Sequence, residues 1–168
     1  MVPLSSRLVS PIWYKLLIAV WGRGKSDMAF VALKKDQLIA AVWGRMFSTK
    51  NKGHGFVNNH TPEISMAVLS EYRNQGIGKN MLQLIEQAYV KQGIKTLSLS
   101  VNCRNKAKKL YERSGYNIYR IEKTAVTMLK IIAQKNIKAI VVNAFKKYNL
   151  MYVVFNCYGY SWSFKYVL

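Results

Sequence analysis

A glycine-containing turn separates a strand-like segment from a helix-like segment near the middle of the sequence. The segment PEISMAVLS, from Pro62, alternates between two faces, and apolar residues then recur at helical spacing from about residue 76 to 91. Between them lies RNQGIG, which places Gly76 and Gly78 at the mouth of the helix. Open N–H groups and the helix dipole favour an anion there, and glycine permits close approach. The turn therefore predicts either a phosphate or pyrophosphate site or simply a tight connection between strand and helix.

Two other phosphate-binding motifs fail at this turn. The dinucleotide fingerprint GxGxxG needs a glycine where Met81 stands. The phosphate loop GxxxxGK[ST] needs a glycine at Arg73 and a hydroxyl at Asn80. Neither nucleotide-binding fold is therefore expected.

The elements predicted around the turn follow a simple order. Residues 28 to 47 read as a β-hairpin with its turn from Lys34 to Gln37, and residues 48 to 61 read as a loop. KTLSLSV alternates as a strand, a second helix begins at Asn105 as N-cap and ends at Gly115, and YNIYRI and TAVTMLKII read as two more strands. This order indicates an α/β sandwich around a mixed sheet.

Charge and cysteine content limit the possible partners, metal sites and cellular location. The chain of 168 residues has 26 Lys and Arg against 7 Asp and Glu, a formal net charge of +19. This charge suggests a nucleic-acid or acidic-membrane partner, although basic residues scattered along the whole chain fit an unusual overall composition about as well. Two cysteines without CxxC spacing and two histidines predict no metal site and a cytoplasmic protein. No apolar run reaches the roughly 20 residues of a membrane span, and residues 11 to 21 are expected to form a partly buried helix rather than a signal peptide.

A second motif makes the turn more specific. RNQGIG fits the pattern Arg/Gln-x-x-Gly-x-Gly/Ala, and NKAKKLYERSGY, from Asn105, is similar to Asn-x-x-Ala-x-x-Leu-Tyr-x-x-x-Gly-Phe/Tyr. Together, over residues 28 to 131, they resemble the GCN5-related N-acetyltransferase (GNAT) family, whose enzymes use acetyl-CoA. The resemblance implies a mixed, mostly antiparallel sheet flanked by helices in a three-layer α/β/α sandwich.

The resemblance also implies a cofactor site for acetyl-CoA. The turn is expected to hold the pyrophosphate of coenzyme A through its backbone N–H groups, and the preceding strand is expected to bind the pantetheine arm. Asn105 is expected near the pantetheine, and Lys106, Lys108 and Lys109 near the 3′-phosphorylated end. The cofactor-binding residues expected in the turn and strand are Met66, Ala67, Val68, Arg73, Asn74, Gln75, Gly76, Ile77, Gly78 and Lys79.

Two residues are expected to carry the chemistry. Tyr111 matches the family tyrosine that protonates the departing thiolate, although a tyrosine on the apolar helix stripe also fits a core position. Glu63, which opens the strand, is expected to be the general base, with a surface role as the alternative. His54 and His60, in the preceding loop, are candidates for lining the acceptor site. Relatives that modify protein N-termini often carry a glutamate where this chain has Ser100, so that acceptor class is disfavoured.

The predicted domain covers residues 1 to 133, with its N-terminal elements shortened, and residues 134 to 168 form an extension with a helix near 134 to 147 and a β-prone tail.

The predicted function is transfer of acetyl from acetyl-CoA to a small-molecule or peptide amine by direct attack. The positive charge favours a neutral or anionic acceptor. The alternative is a non-catalytic protein that binds coenzyme A or nucleic acid, and a homodimer through the extension is a further prediction.

Overall fold

The computed structural model describes residues 26–35 and 37–133 in full, and the backbone of residues 151–158 and 161–167. The described chain contains eight strands and two α-helices, in the order β1 Met28–Lys34, β2 Gln37–Arg45, β3 Glu63–Val68, α1 Ile77–Lys91, β4 Thr96–Asn102, α2 Lys108–Arg113, β5 Asn117–Ile121, β6 Ala125–Ile131, β7 Met151–Tyr158 and β8 Ser161–Val167. A short 3-10 helix, Ser70–Tyr72, follows β3.

The described strands form one mixed sheet in the order β5-β6-β4-β3-β2-β1-β7-β8. Neighbouring strands are antiparallel except β3 and β4, which run parallel and pair only where Glu63 meets Ser98. There the Ser98 N–H donates to the Pro62 carbonyl oxygen (3.0 Å). Beyond this pair the two strands separate, so a gap opens between their carboxyl ends.

Helix α1 covers the sheet because its apolar residues fall on one stripe. Ile77, Met81, Ile85 and Tyr89 are all at most 2% exposed and belong to one core with the facing strand residues. That core also contains Ile64 of β3, and Met66 and Val68 pack against it. Because successive strand residues alternate in direction, Glu63 lies on the opposite face of the sheet.

Most of the predicted elements are confirmed. The hairpin, both helices and the strands on either side of them lie within a few residues of their predicted bounds, and Gly115 has the left-handed conformation expected at a helix end (φ 89°). The predicted α/β fold around a mixed sheet is confirmed. The β-prone tail forms β7 and β8, which extend the sheet beyond β1. The helices predicted near residues 11 to 21 and 134 to 147 lie outside the described residues.

Gly44 on β2 is expected to tolerate no larger residue. A Cβ atom there would lie 2.5 Å from the Tyr89 hydroxyl oxygen and 2.6 Å from its ring. Tyr89 is fully buried and donates its hydroxyl to the Ser26 carbonyl oxygen (2.9 Å), so it cannot move freely. We expect Gly44→Ala to lower the free energy of unfolding by about 1–3 kcal/mol, as overpacking does, in urea denaturation.

The variant Tyr89→Phe is the matched control, because it removes the atom closest to the new methyl group. The cost of Gly44→Ala is expected to be smaller in the Tyr89→Phe background than in the wild type. Equal costs in the two backgrounds would contradict this account of Gly44.

Candidate functional site: the gap between β3 and β4

The peptide groups of β3 point alternately toward β2 and into the gap. The Leu69 N–H donates to the Ile39 carbonyl oxygen of β2 (2.9 Å), and antiparallel pairing alternates hydrogen-bonded residues with unbonded ones. Ala67, two residues earlier, therefore also directs its peptide groups to β2. Met66 and Val68 direct theirs toward β4, from which β3 has already separated. Of the three pantetheine-binding residues predicted on this strand, Met66 thus directs its peptide groups into the gap and Ala67 does not. Val68 directs its N–H there, while its carbonyl oxygen accepts from the Arg73 side chain.

The turn after β3 presents a row of backbone donors. Asn74 and Gly76 have left-handed conformations (φ 60° and 83°), and Gly76 is the N-cap of α1. The first intrahelical bond runs from the Asn80 N–H to the Gly76 carbonyl oxygen (3.1 Å). In the part of the chain that the structure describes, the N–H groups of residues 74 to 79 have no hydrogen-bond partner. Such a row at a helix N-terminus suits a phosphate group.

The side chains of the turn hold its shape. The Arg73 N–H donates to the Ser70 carbonyl oxygen (3.2 Å), so it is not part of the free row. Its side-chain Nε donates to the Val68 carbonyl oxygen (3.0 Å), and the Gln75 side chain donates to the Glu71 carbonyl oxygen (2.9 Å). Lys79 is exposed in the first turn of α1. The turn is therefore fixed by contacts within itself before any ligand binds.

The two glycines of the turn serve different purposes. Gly76 is needed for its positive φ. A Cβ atom at Gly78 would instead lie 3.0 Å from Leu110 of α2 and 3.4 Å from Met66 of β3. The close approach at Gly78 thus comes from the chain's own side chains, and it brings the start of α1, the separated part of β3 and helix α2 together at one place.

Helix α2 begins later than expected. The side-chain oxygen of Asn105 accepts a hydrogen bond from the Ala107 N–H (2.9 Å). Asn105 therefore stabilises the turn before the helix, and the N-cap of α2 is Ala107. The motif places its asparagine three residues before its alanine, where this chain has Arg104, so Asn105 is displaced by one position. Lys108 forms an ion pair with Glu112 (2.6 Å) and is partly buried by it.

Tyr111 is the buried residue of α2. It is 7% exposed and contacts the Tyr116 ring edge-on, with the ring centroids 6.0 Å apart. Burial raises the pKa of the Tyr111 hydroxyl above its ordinary value. Tyr111 is therefore part of the core, and it also keeps its proton at neutral pH, as a general acid must. Its position is compatible with both interpretations, a core tyrosine and a proton donor.

Glu63 is half-buried at the point where β3 and β4 separate. Burial raises the pKa of its carboxyl, while a hydrogen bond from the Gly55 N–H and the nearby charge of His54 act in the opposite direction. The carboxylate atom Oε2 is buried and has no hydrogen-bond partner. A carboxyl with a raised pKa is suited to accept a proton, here through its other oxygen, Oε1.

The loop before β3 contains contacts that the sequence did not reveal. His54 lies near Glu63. His60 is exposed, and its N–H donates to the Asn58 side chain (2.8 Å). Gly53 and Gly55, on either side of His54, pack against Glu63 and β4. A glycine in a loop gives no local signal that distinguishes such a contact from an ordinary turn.

The described chain offers neither a metal site nor a membrane-spanning helix. Its residues include no group of three or more His, Cys, Asp or Glu placed to hold a metal ion. None of its helices is long and apolar enough to cross a membrane.

Comparison with known proteins identifies the family. The model of the acetyltransferase (GNAT) family matches residues 5–116, which is more than half of the chain and begins before β1. The matched range contains the turn after β3, Glu63, Asn105 and Tyr111. Comparison of the sequence with curated proteins gives no match.

Solved structures agree with this fold. PaiA N-acetyltransferase from Thermoplasma acidophilum, in complex with coenzyme A, is 21% identical with a TM-score of 0.53, and the match covers 62% of this chain and 61% of that one. The GNAT domain of S. lividans PAT is 18% identical with a TM-score of 0.57, covering 64% of this chain and 62% of that one. An aminoglycoside 6′-N-acetyltransferase complexed with coenzyme A is 17% identical with a TM-score of 0.54, covering 68% and 77%. The family model matches residues 5–116, and the chain also has the paired motifs and the two separating strands. The chain therefore belongs to the GNAT acetyltransferase family.

Proposed function

We propose that this protein transfers the acetyl group of acetyl-CoA to a primary amine, in a complex that holds both substrates at once. The observation that carries the proposal is the row of free N–H groups from residues 74 to 79, next to the peptide groups of Met66 and Val68 in the gap. A pyrophosphate fits the row because it offers acceptors without donors, and the helix dipole adds favourable charge. An extended amide-containing arm fits the gap as an added strand would.

Glu63 and Tyr111 take the two proton-transfer roles in this proposal. Acetyl-CoA supplies the acetyl group as a thioester and leaves as a thiol. Glu63 accepts the proton that the amine loses as its nitrogen bonds to the acetyl carbon, through the carboxylate oxygen Oε1, which is not enclosed. Tyr111 donates its hydroxyl proton to the sulfur as the carbon–sulfur bond breaks. The peptide N–H groups facing the gap stabilise negative charge on the acetyl oxygen.

The acceptor class follows from charge. The loop between β2 and β3 carries Lys50, Lys52 and His54, and His54 lies near Glu63. A polycationic amine is repelled there, so we propose a small molecule or peptide amine that is neutral or anionic apart from its amino group. A cytoplasmic location completes the proposal, since the described Cys103 is a free thiol and acetyl-CoA is an intracellular donor.

Reversing the charge of Lys79 tests the cofactor site. Lys79→Glu places a carboxylate beside the free N–H row, and we expect the affinity for acetyl-CoA to fall about tenfold, or about 1.4 kcal/mol of binding free energy. The same change should stabilise α1 by about 0.3–1 kcal/mol, because acidic residues favour a helix N-terminus. Isothermal calorimetry and thermal denaturation measure the two effects, which have opposite directions.

Lys91→Glu, at the other end of α1, is the matched control. It should lower stability by a similar amount and leave the affinity for acetyl-CoA unchanged. Equal losses of affinity in the two variants would show that the cofactor binds elsewhere. Thiol release from acetyl-CoA with a panel of primary amines then tests the transfer itself, and a folded protein that binds acetyl-CoA but releases no thiol with any of them would refute it.

A further inference from the structure

Two glycines flank His54 in the loop between β2 and β3, and neither has room for a larger residue. A Cβ atom at Gly55 would lie 2.7 Å from the Leu99 carbonyl carbon and 2.8 Å from the Ser100 nitrogen. Both obstacles are backbone atoms of β4, which cannot rotate away as a side chain can. Residues 53 to 55, which we call the 53–55 turn, are therefore seated directly on β4 beside the gap.

The same turn is in contact with the proposed base. A Cβ atom at Gly53 would collide with Oε2 of Glu63 and would lie 2.7 Å from the Phe47 ring. The Gly55 N–H forms a hydrogen bond to the Glu63 carboxylate, and yet Oε2 is left buried without a partner. The turn thus packs against Oε2 at Gly53 and against the carboxyl carbon, Cδ, which lies 3.1 Å from a Cβ atom placed at Gly55.

The other elements around Glu63 leave its charge uncompensated. Arg45 of β2 is its partner in register, but the guanidinium Nε lies 3.9 Å from Asp27 and the group sits over the Phe47 ring at 5.3 Å. On its other side β4 brings Ser98, which has no charge. Among the described residues, His54 is the group whose charge lowers the pKa of this carboxyl. The carboxylate therefore depends on the 53–55 turn for its orientation.

We propose that the 53–55 turn positions Glu63 for proton transfer, an inference that rests on the proposed function. The Gly55 N–H faces the carboxylate, and the missing side chain at Gly53 gives Oε2 its buried place against the turn, which leaves the other oxygen, Oε1, to face the acceptor amine. Oε1 takes the proton of the amine as the nitrogen–carbon bond forms and the carbon–sulfur bond breaks. Gly53 and Gly55 are positioning residues in this scheme, because neither contacts the reacting atoms.

Gly53→Ala tests the proposal with little change in stability. The atoms nearest to the new methyl group belong to the ends of the Glu63 and Phe47 side chains, and these can shift while the fold stays intact. A misplacement of about 1 Å costs on the order of 10²-fold in rate, and we expect kcat to fall by about that factor. The substitution is also made in the Glu63→Gln background, where no carboxylate remains to be misplaced and no further loss of kcat is expected.

A second readout does not depend on turnover. NMR titration of glutamate carboxyl carbons, with the Glu63 signal assigned from its absence in Glu63→Gln, gives the pKa of this group in each variant. Gly53→Ala should change that pKa. The control Gly93→Ala should not, since a Cβ atom at Gly93 meets nothing within 4 Å. Its positive φ of 79° makes Gly93→Ala cost about 1–2 kcal/mol of stability, while kcat is expected to be unchanged.

The outcomes separate this inference from the function on which it rests. An unchanged Glu63 pKa in Gly53→Ala, or equal losses of kcat in the wild-type and Glu63→Gln backgrounds, would overturn the positioning role. A wild type that binds acetyl-CoA but acetylates no amine would refute the proposed function. In that case a shifted Glu63 pKa in Gly53→Ala would still support the contact between the turn and the carboxylate.

Discussion

Glu63→Gln is expected to lower kcat by about 10²- to 10⁴-fold, the usual contribution of a general base. Glutamine keeps the shape of the side chain and can still accept a hydrogen bond from the Gly55 N–H, so the affinity for acetyl-CoA should be unchanged. Steady-state kinetics with a saturating acceptor measures the loss. A variant that keeps more than half of the wild-type kcat would remove Glu63 from the mechanism.

The pH dependence of the same variant gives an independent check. A base must be ionised, and burial raises the pKa of Glu63 above the ordinary range of a carboxyl. In the wild type, kcat/KM should therefore fall about tenfold per pH unit below this raised pKa. In Glu63→Gln this limb should be absent, and only the tenfold slope from protonation of the acceptor amine should remain.

Stability should respond to this substitution in the opposite direction. Since the pKa of Glu63 is higher in the folded than in the unfolded chain, protonated Glu63 favours the fold. Its contribution to stability is fully present below the unfolded pKa and is lost as the pH rises through the folded pKa. At neutral pH the charged carboxylate is thus a cost that glutamine does not carry. Thermal denaturation should show Glu63→Gln more stable than the wild type near pH 7, with the difference diminishing toward about pH 4.

Tyr111→Phe is expected to have the second large effect on kcat. Removing the hydroxyl removes the proton donor for the thiolate, and kcat is expected to fall by about 10²- to 10⁴-fold. Because burial keeps the pKa of Tyr111 above its ordinary value of about 10, loss of its proton should not limit the rate between pH 6 and 9. Pre-steady-state measurement of thiol release separates this step from product release.

Tyr116→Phe is the control for Tyr111→Phe. The two rings are in contact, and both tyrosines are buried. The Tyr116 hydroxyl is buried next to the Glu86 carboxyl and takes no part in the proposed chemistry, so its removal should leave kcat almost unchanged. A similar loss of kcat in the two variants would mean that Tyr111 acts through packing alone.

Local patterns in the sequence predicted the local structure. The stripe containing Ile77, Met81 and Ile85 repeats within one helix, and helix α1 appears where the stripe does. The alternation in β3 and β4 likewise needs no information from distant residues. The motif at RNQGIG located the free N–H row, since the row follows from a left-handed Gly76 and a helix start, both of which are local.

These local patterns could not predict contacts between segments that are distant in the sequence. Gly78 was interpreted as making room for a ligand, whereas the nearest atoms to its missing Cβ belong to Leu110, which lies 32 residues later in the sequence. The sequence predicted Gly53 and Gly55 only as part of a loop. Their packing on Glu63 and β4 depends on how that loop crosses the sheet. The tail was correctly expected to favour strands, but pairing of β7 with β1 is set by topology rather than by propensity.

The position of β7 has a consequence for synthesis of the chain on the ribosome. β1 pairs with β2 on one side and with β7 on the other, and β7 is translated more than a hundred residues after β1. At about 5–20 residues per second, the outer edge of β1 stays unpaired for several seconds at least. An open edge of apolar residues invites pairing with other nascent chains. The first hairpin of this protein is therefore expected to need a chaperone, or rapid docking of another segment, until its last neighbour emerges.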